Sequence, residues 1–522
     1  MKQNLSFKLL YKLFILALLI LTVPHVGHAS GIVGNGSARS CTDAALTAAL
    51  TGGGSVTFDC GSSPKTILLS GEKSISTDTV LDGGNLITLS GGNSIRIFSV
   101  KPNVHFTVAN LTLANGYSTG QGGAIHGGMF QNTVLTINHC NFINNVSSQI
   151  GQFGGGAIYS GAGWLTVDKS SFTGNKASIG GAIRILHSNL TVTASTFIGN
   201  KALDSNLGNG GAIHVDGAKY DNGQVSIRDS VFKANSATSY GGALFNSIYN
   251  NNATAITNSV FSGNSVGGGS GNGQGGAIWS TGDPAKGDQW VINTNNTTLT
   301  IVNSTISDNI ASKQGGGIWI ARHLKGSVIS RSTFSGNTAV ESMGGGIVQG
   351  DIGKLSILNS TISDNKANGT YSMGGGVYIG KNAKATITNA TISNNTANWQ
   401  AGGIFGALNV TLKNTLLANN VALNGGNNWN IKHNCFEPMT NGGNNLQFPK
   451  PIDADCTSGI LIADPKLGIL TNNGGPTFSR AISIGSGASG NAAGCPATDQ
   501  RGGTRPKPSG TYCDIGAFEA AF

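Results

Sequence analysis

Ser170-Ser171-Phe172-Thr173-Gly174-Asn175-Lys176-Ala177, followed after two residues by Gly180-Gly181-Ala182-Ile183, is the stretch that decides the fold. Both halves recur along the chain. The Asn of the first half returns at Asn145, Asn175, Asn200, Asn235, Asn264, Asn309, Asn337, Asn365, Asn395 and Asn419. The third residue of the second half returns at Ala124, Ala157, Ala182, Ala212, Ala243, Ala277, Gly317, Gly346, Gly376 and Gly403. The two signatures alternate strictly, with steps mostly between 25 and 35 residues. A period of that size carrying short strands and turn residues implies a solenoid with one coil per repeat. The expected fold is all-β, a parallel β-helix.

Strand side chains alternate between faces with a period of two. The large apolar residue (Phe172, Phe197, Phe232, Phe261, Ile306, Phe334, Ile362, Ile392) is expected to point inward. Two residues earlier the same face carries small residues, Ser170 to Ser360 and then Ala390. Cys140 occupies that small inward slot, so a buried inert thiol is expected there rather than a nucleophile. Outward residues between them include Thr305, Thr333, Thr361 and Thr391, good β-formers whose row from Thr305 to Thr415 resembles the faces of ice-binding solenoids. The Asn is placed at a bend, tolerating an unusual φ and stacking its amide on the next coil. The Gly pair marks a second corner, where positive φ or close approach of coils is needed.

Outside the repeats, residues 1–29 read as a secretory signal. Lys2, Lys8 and Lys12 precede an apolar run, and Gly27-His28-Ala29 supplies small residues at a cleavage site. Its removal lowers the formal charge from +9 to +6. No other segment reaches the length of a membrane span. Residues 30–119 are read as an N-terminal cap and first irregular coils, with a short helix following Thr42-Asp43 and ending at Gly52. Residues 120–423 are the ten-repeat body. Residues 424–522 are a loop-rich module holding four of the seven cysteines. The cysteines fall into local couples, and the expected bridges are Cys41–Cys60, Cys435–Cys456 and Cys495–Cys513, with Cys140 left over. Six cysteines allow fifteen arrangements. Glycine is abundant, 80 of 522 residues, but proline is scarce and no three-residue period appears, so collagen is excluded.

The alternating Gly-Gly-Ala-Ile and Phe-x-x-Asn signatures resemble the repeats of polymorphic outer membrane proteins, bacterial surface β-helices associated with adhesion. Four stretches resemble the choice-of-anchor Q domain found after right-handed parallel β-helices in exported bacterial proteins, which implies a right-handed parallel β-helix here. They are Ala463-Asp464-Pro465-Lys466-Leu467, Asn473-Gly474-Gly475-Pro476-Thr477, Thr498-Asp499-Gln500-Arg501-Gly502 and Cys513-Asp514-Ile515-Gly516-Ala517-Phe518-Glu519. The two resemblances span about residues 120 to 519 and imply a secreted or cell-surface bacterial protein. They bring no catalytic residues that map onto this chain.

For chemistry, the repeats offer Asp168, Asp204, Asp216, Asp221, Asp229, Asp308, Asp351 and Asp364 at non-equivalent positions, with no dense carboxylate pair of the kind hydrolysis needs. The best catalytic candidates are Arg184, His187, His214 and Asp216. Arg184 and His214 follow Gly-Gly-Ala-Ile on successive coils, as a base and a carboxylate neutraliser of a polysaccharide lyase acting on acidic glycans would. No metal site is expected. In the tail Asp464, Asp499, Arg501, Arg505, Asp514 and Glu519 read as ion pairs, with Ca²⁺ the other reading. The charge is spread out, so nucleic acid is not an expected partner.

The strongest binding signal is the residue after Gly-Gly-(Ala/Gly)-Ile. Coil by coil it is His126, Tyr159, Arg184, His214, Phe245, Trp279, Trp319, Val348, Tyr378 and Phe405. Six of ten are aromatic, against 7% of the chain, so the slot is not filled at random. An exposed ribbon of Tyr159, Phe245, Trp279, Trp319, Tyr378 and Phe405 would suit stacking on sugar rings. The expected function is adhesion or glycan binding by a monomer through the solenoid face. The alternatives are the lyase and a purely structural surface protein.

Overall fold

A computed structural model describes residues 31–128, 132–267, 269, 273–282, 296–451, 455–506 and 512–521. The signal segment lies outside them. The chain winds as a parallel β-helix whose coils stack into three ladders: one sheet of 28 strands, one of 12 and one of 11. A representative coil runs through Trp164–Asp168 and Ser171–Thr173 on the first face, Lys176–Ala177 on the second and Ile183–Leu186 on the third. Each strand pairs in parallel with its counterpart one coil on, for example Phe172 with Phe197 and Ile183 with Ile213.

The repeat signature folds this way for local reasons. Between the two strands of the first face the backbone crosses to positive φ at His139, Lys169, Ala194 and Asp229, which bends that face. After the second strand it does so again at Asn144, Gly174, Gly199, Ala234 and Asp308. The unusual φ therefore belongs to the residue before the ladder Asn, not to the Asn itself. At the third corner Gly180 has φ +57°, and a Cβ on Gly181 would run into the carbonyl oxygen of Gly211 on the next coil. The first Gly is there for conformation and the second for close approach.

Inside, the ladders are polar as well as apolar. Each ladder Asn is fully buried. Its Nδ2 donates to a carbonyl of the preceding coil and to Oδ1 of the next Asn, as in Asn175 to Phe142 O (3.0 Å) and to Asn200 Oδ1 (2.9 Å). The backbone N–H of each Asn donates to that same oxygen. The column runs Asn145, Asn175, Asn200, Asn235, Asn264, Asn309, Asn337, Asn365, Asn395, Asn420, and reaches Asn434. Asn420, not Asn419, takes the last repeat's rung. Asn419 is exposed with φ 55°, in the bend slot that Asn394 fills one coil earlier. Two adjacent Asn made the register ambiguous by one residue. A second column is made by serines: Cys140 N donates to Ser170 Oγ (3.0 Å), Ser170 N to Ser195 Oγ (3.0 Å), and so on to Ser360. Cys140 is buried, its Sγ–H faces Val108 O and Asn138 O at 3.3 Å, and burial pushes its thiol up to about 11.

Parallel pairing reaches beyond the repeat signature at both ends. It begins at Gly31–Gly34 and continues past residue 423 through Thr440–Asn441, Leu446–Phe448 and Leu461–Ile462. The coils before residue 120 are those expected from the sequence, whereas pairing past 423 extends the solenoid into the terminal module, because a coil needs backbone pairing and an apolar interior, not the full side-chain motif. The helix Asp43–Leu50, capped by Thr42 Oγ1, buries Leu46 against the first coil and closes that end of the core.

The bridges are Cys41–Cys60, Cys435–Cys456 and Cys495–Cys513. The last holds a tail that folds back over the outer side of the first face. There Thr361 Oγ1 donates to Gln500 Oε1 (2.6 Å), Ala517 N donates to Thr391 Oγ1 (3.0 Å), and Arg480 pairs with Asp364 (2.8 Å). Thr333, Thr361 and Thr391 are buried by this cover, so the outward Thr row is not an open surface over those coils.

Candidate functional site

On the third face the row after each Gly-Gly corner forms a continuous column. Strand register places His126, Tyr159, Arg184, His214, Phe245, Trp279, Trp319, Val348, Tyr378 and Phe405 side by side. Their rings stack nearly parallel. His214–Phe245 are 4.4 Å apart, Phe245–Trp279 4.6 Å, Trp279–Trp319 5.2 Å at 3°, and Tyr378–Phe405 4.8 Å at 4°. His126 and Tyr159 stack at 5.2 Å.

Exposure divides the column. His126, Phe245, Trp279, Trp319, Tyr378 and Phe405 are half-buried, whereas Tyr159, Arg184, His214 and Val348 are buried. Tyr159 is therefore part of the stack but not of an exposed ribbon. Burial pushes its hydroxyl up to about 12. Apart from His126, the aromatic surface that solvent reaches falls into two parts, Phe245–Trp279–Trp319 and Tyr378–Phe405, with Val348 between them.

Four side chains beside the column lie outside the residues expected from the sequence. Tyr240 packs 5.1 Å from Trp279, and Phe436 lies 4.9 Å from Phe405. Gln274 accepts from Trp279 Nε1 (3.2 Å) and donates to Gln314 Oε1 (3.1 Å), giving the indoles an amide rail. Tyr240, Gln274 and Gln314 each stand directly before the Gly pair, a slot whose polar and aromatic content was visible in the sequence. Phe436 lies outside the motif and carried no such signal.

The four catalytic candidates are not all brought together. Arg184 Nη1 lies 3.2 Å from His214 Nδ1, and Arg184 Nη2 lies 3.8 Å from Asp216 Oδ2. His187 turns instead to the Tyr249 hydroxyl, 2.7 Å from its Nδ1. Burial, then the Arg184 charge, holds His214 well below the ordinary imidazole value, so it is neutral. A guanidinium only donates, which makes His214 Nδ1 the acceptor and puts the ring proton on Nε2. In this arrangement the imidazole keeps no lone pair with which to take a proton from a substrate. That departs from the base role expected for it.

In the tail the carboxylates are occupied by protein donors. Asp499 pairs with Arg501 (2.7 Å) and Glu519 with Arg505 (3.5 Å). Asp514 accepts from Gly490 N and Ala520 N, and Asp464 from Lys466 N. Among the described residues no group of three or more His, Cys, Asp or Glu converges to hold a metal ion. Among them, too, no helix is long and apolar enough to cross a membrane.

The Chlamydia polymorphic membrane protein repeat family matches residues 194–216. No curated protein matches the chain in sequence. Among solved structures, the chain is similar to the crystal structure of pectate lyase Pel9A, with TM-score 0.30, 13% identity, and 94% of this chain and 97% of that one covered. It is also similar to the Azotobacter vinelandii mannuronan C-5 epimerase AlgE6 A-module, with TM-score 0.27, 12% identity, and 81% and 100% covered.

Proposed function

We propose that this is an exported β-helix of the cell surface or extracellular space that binds glycans through the third face. The observation that carries the reading is the Phe245–Trp279–Trp319 stack, three flat rings in register on successive coils and still partly open to solvent. Aromatic faces of this kind suit the apolar faces of sugar rings, and the Gln274–Gln314 rail adds hydrogen-bonding groups beside them. Three disulfides fit an oxidising compartment outside the cytoplasm. The repeat match at residues 194–216 supports a surface setting. The tail's resemblance to choice-of-anchor Q domains belongs to the same reading. Binding in this way serves adhesion rather than turnover.

The test is a glycan array with the mature chain, beside a variant carrying Trp279→Ala and Trp319→Ala. Retention by the parent and loss by the folded variant is the expected result. Equal retention ends the proposal. Release of new reducing or unsaturated ends would favour the lyase, and silence in both assays a structural protein.

A further inference from the structure

We propose that the glycan bound by the row carries a carboxylate, and that the side-on edge of Arg184, its Nε and Nη2, receives it. The inference rests on the glycan reading above and names the chemical class of the ligand.

Arg184 stands in the column itself, between Tyr159 and His214. It is 2% exposed, yet its hydrogen bonding is one-sided. Nη1 is engaged with His214 Nδ1. Nε is buried and has no hydrogen-bond partner. Nη2 has its nearest carboxylate, Asp216 Oδ2, at 3.8 Å, beyond hydrogen-bond length. The Nε and Nη2 hydrogens form the planar fork that takes a carboxylate through two parallel bonds, and here that fork is unfilled. A buried guanidinium left so is unfavourable unless a partner completes it.

Arg184 is not itself among the side chains that line the adjacent cleft, but His214 and Asp216, the two it contacts, are. His214, Asp216, Phe245 and Ser247 line one cleft, together with Leu207 and Asn209. That cleft opens beside Phe245, the first half-buried ring of the stack. Four coil steps separate Trp319 from Arg184, roughly 19 Å at one strand spacing per coil. A glycan lying on the rings toward His214 thus brings one sugar to the cleft. Asp216, about one third exposed, is the resident anion. An incoming carboxylate takes the position that Asp216 faces, and His214 Nε2–H is a donor for a neighbouring hydroxyl.

Oligogalacturonate and its fully methyl-esterified form share one ring and differ in charge, so they separate this inference from the reading beneath it. With the mature full-length chain the acid should bind at least about tenfold more tightly than the ester, as a charge-assisted fork requires. Arg184→Gln should bring the acid down to the level of the ester. Asp216→Asn should tighten the acid about threefold and leave the ester unchanged, since it removes the competing anion. Because Arg184 is buried, circular dichroism checks its variant, and Asp216→Asn decides the matter where Arg184→Gln does not fold. Equal binding of acid and ester, or an acid preference untouched by both variants, overturns the carboxylate site and leaves the glycan reading standing. If neither oligosaccharide binds, stabilisation by D-glucuronate at constant ionic strength decides: a rise in Tm that Asp216→Asn enlarges supports the fork, and no rise overturns it.

Discussion

Two columns of aromatic rings run along this protein on the same rung spacing, one inside the coils and one outside. The inner column, Phe142–Phe172–Phe197–Phe232–Phe261, stacks at 4.6, 4.7, 4.7 and 4.5 Å, with every ring fully buried. The outer column stacks as closely at Phe245–Trp279–Trp319 but leaves its rings partly open to solvent. Stacking geometry alone therefore does not distinguish core from surface, because both columns inherit it from parallel register. Substitution along each column does distinguish them. The inner one exchanges Phe for Ile at Ile306, Ile362 and Ile392, as a filler of apolar volume can. The outer one admits Arg184 and His214, which a core without partners for them would not accept.

The largest effect is expected inside. Phe197→Ala removes a ring touched on both sides and should cost about 3–5 kcal/mol, read as loss of hydrogen-exchange protection over its own and neighbouring coils. If it costs no more than Trp279→Ala, the division between the columns fails. Next comes acid. His323 is buried between Ser280 Oγ (2.9 Å) and Thr297 Oγ1 (3.1 Å), and burial draws it from 6.5 down to about 3. The folded state holds it neutral. Its stabilisation is whole above pH 6.5 and falls by about 1.4 kcal/mol per unit as pH drops from there to 3. His323→Gln should flatten that part of the pH profile, and an unchanged profile would place the acid sensitivity elsewhere. In the outer column, burial followed by the Arg96 charge lowers His126 to about 4, so its window is shorter.

A smaller loss is expected in the amide ladder. Asn337→Asp deletes the donor to Ile306 O and Asn365 Oδ1 and sets a carboxylate against that oxygen. About 2 kcal/mol should be lost locally, and unchanged exchange in that coil would refute the ladder's energetic role. The smallest effect on stability belongs to the outer rings. Trp279→Ala should cost about 1 kcal/mol, because its indole is already partly in water and chiefly stacking is lost. A cost near that of Phe197→Ala would make the outer column part of the core and remove the reason to seek a ligand for it.

Much of this was legible because a solenoid repeats its local rules. The Phe-x-x-Asn and Gly-Gly-Ala-Ile signatures, read ten times, determined the parallel coil, the inward Phe and Ser positions and the buried Cys140. The local cysteine couples pointed to the bridges, and Thr42-Asp43 to the capping helix. Each depends on residues close in sequence or on strict periodicity. Where two adjacent residues fit the period equally, as at Asn419-Asn420, periodicity does not fix which one takes the rung.

Tertiary structure decided what spacing cannot encode. That Tyr159 is buried while Trp279 and Trp319 stay half-buried is decided by the three-dimensional packing around each coil. That Thr333, Thr361 and Thr391 are buried depends on a tail more than a hundred residues away in sequence. That His214 holds its proton on Nε2, and that the Arg184 fork is unfilled, depends on distances between side chains of neighbouring coils. Periodicity sets which face a residue is on. What lies over that face is a long-range contact, and no local pattern carries it.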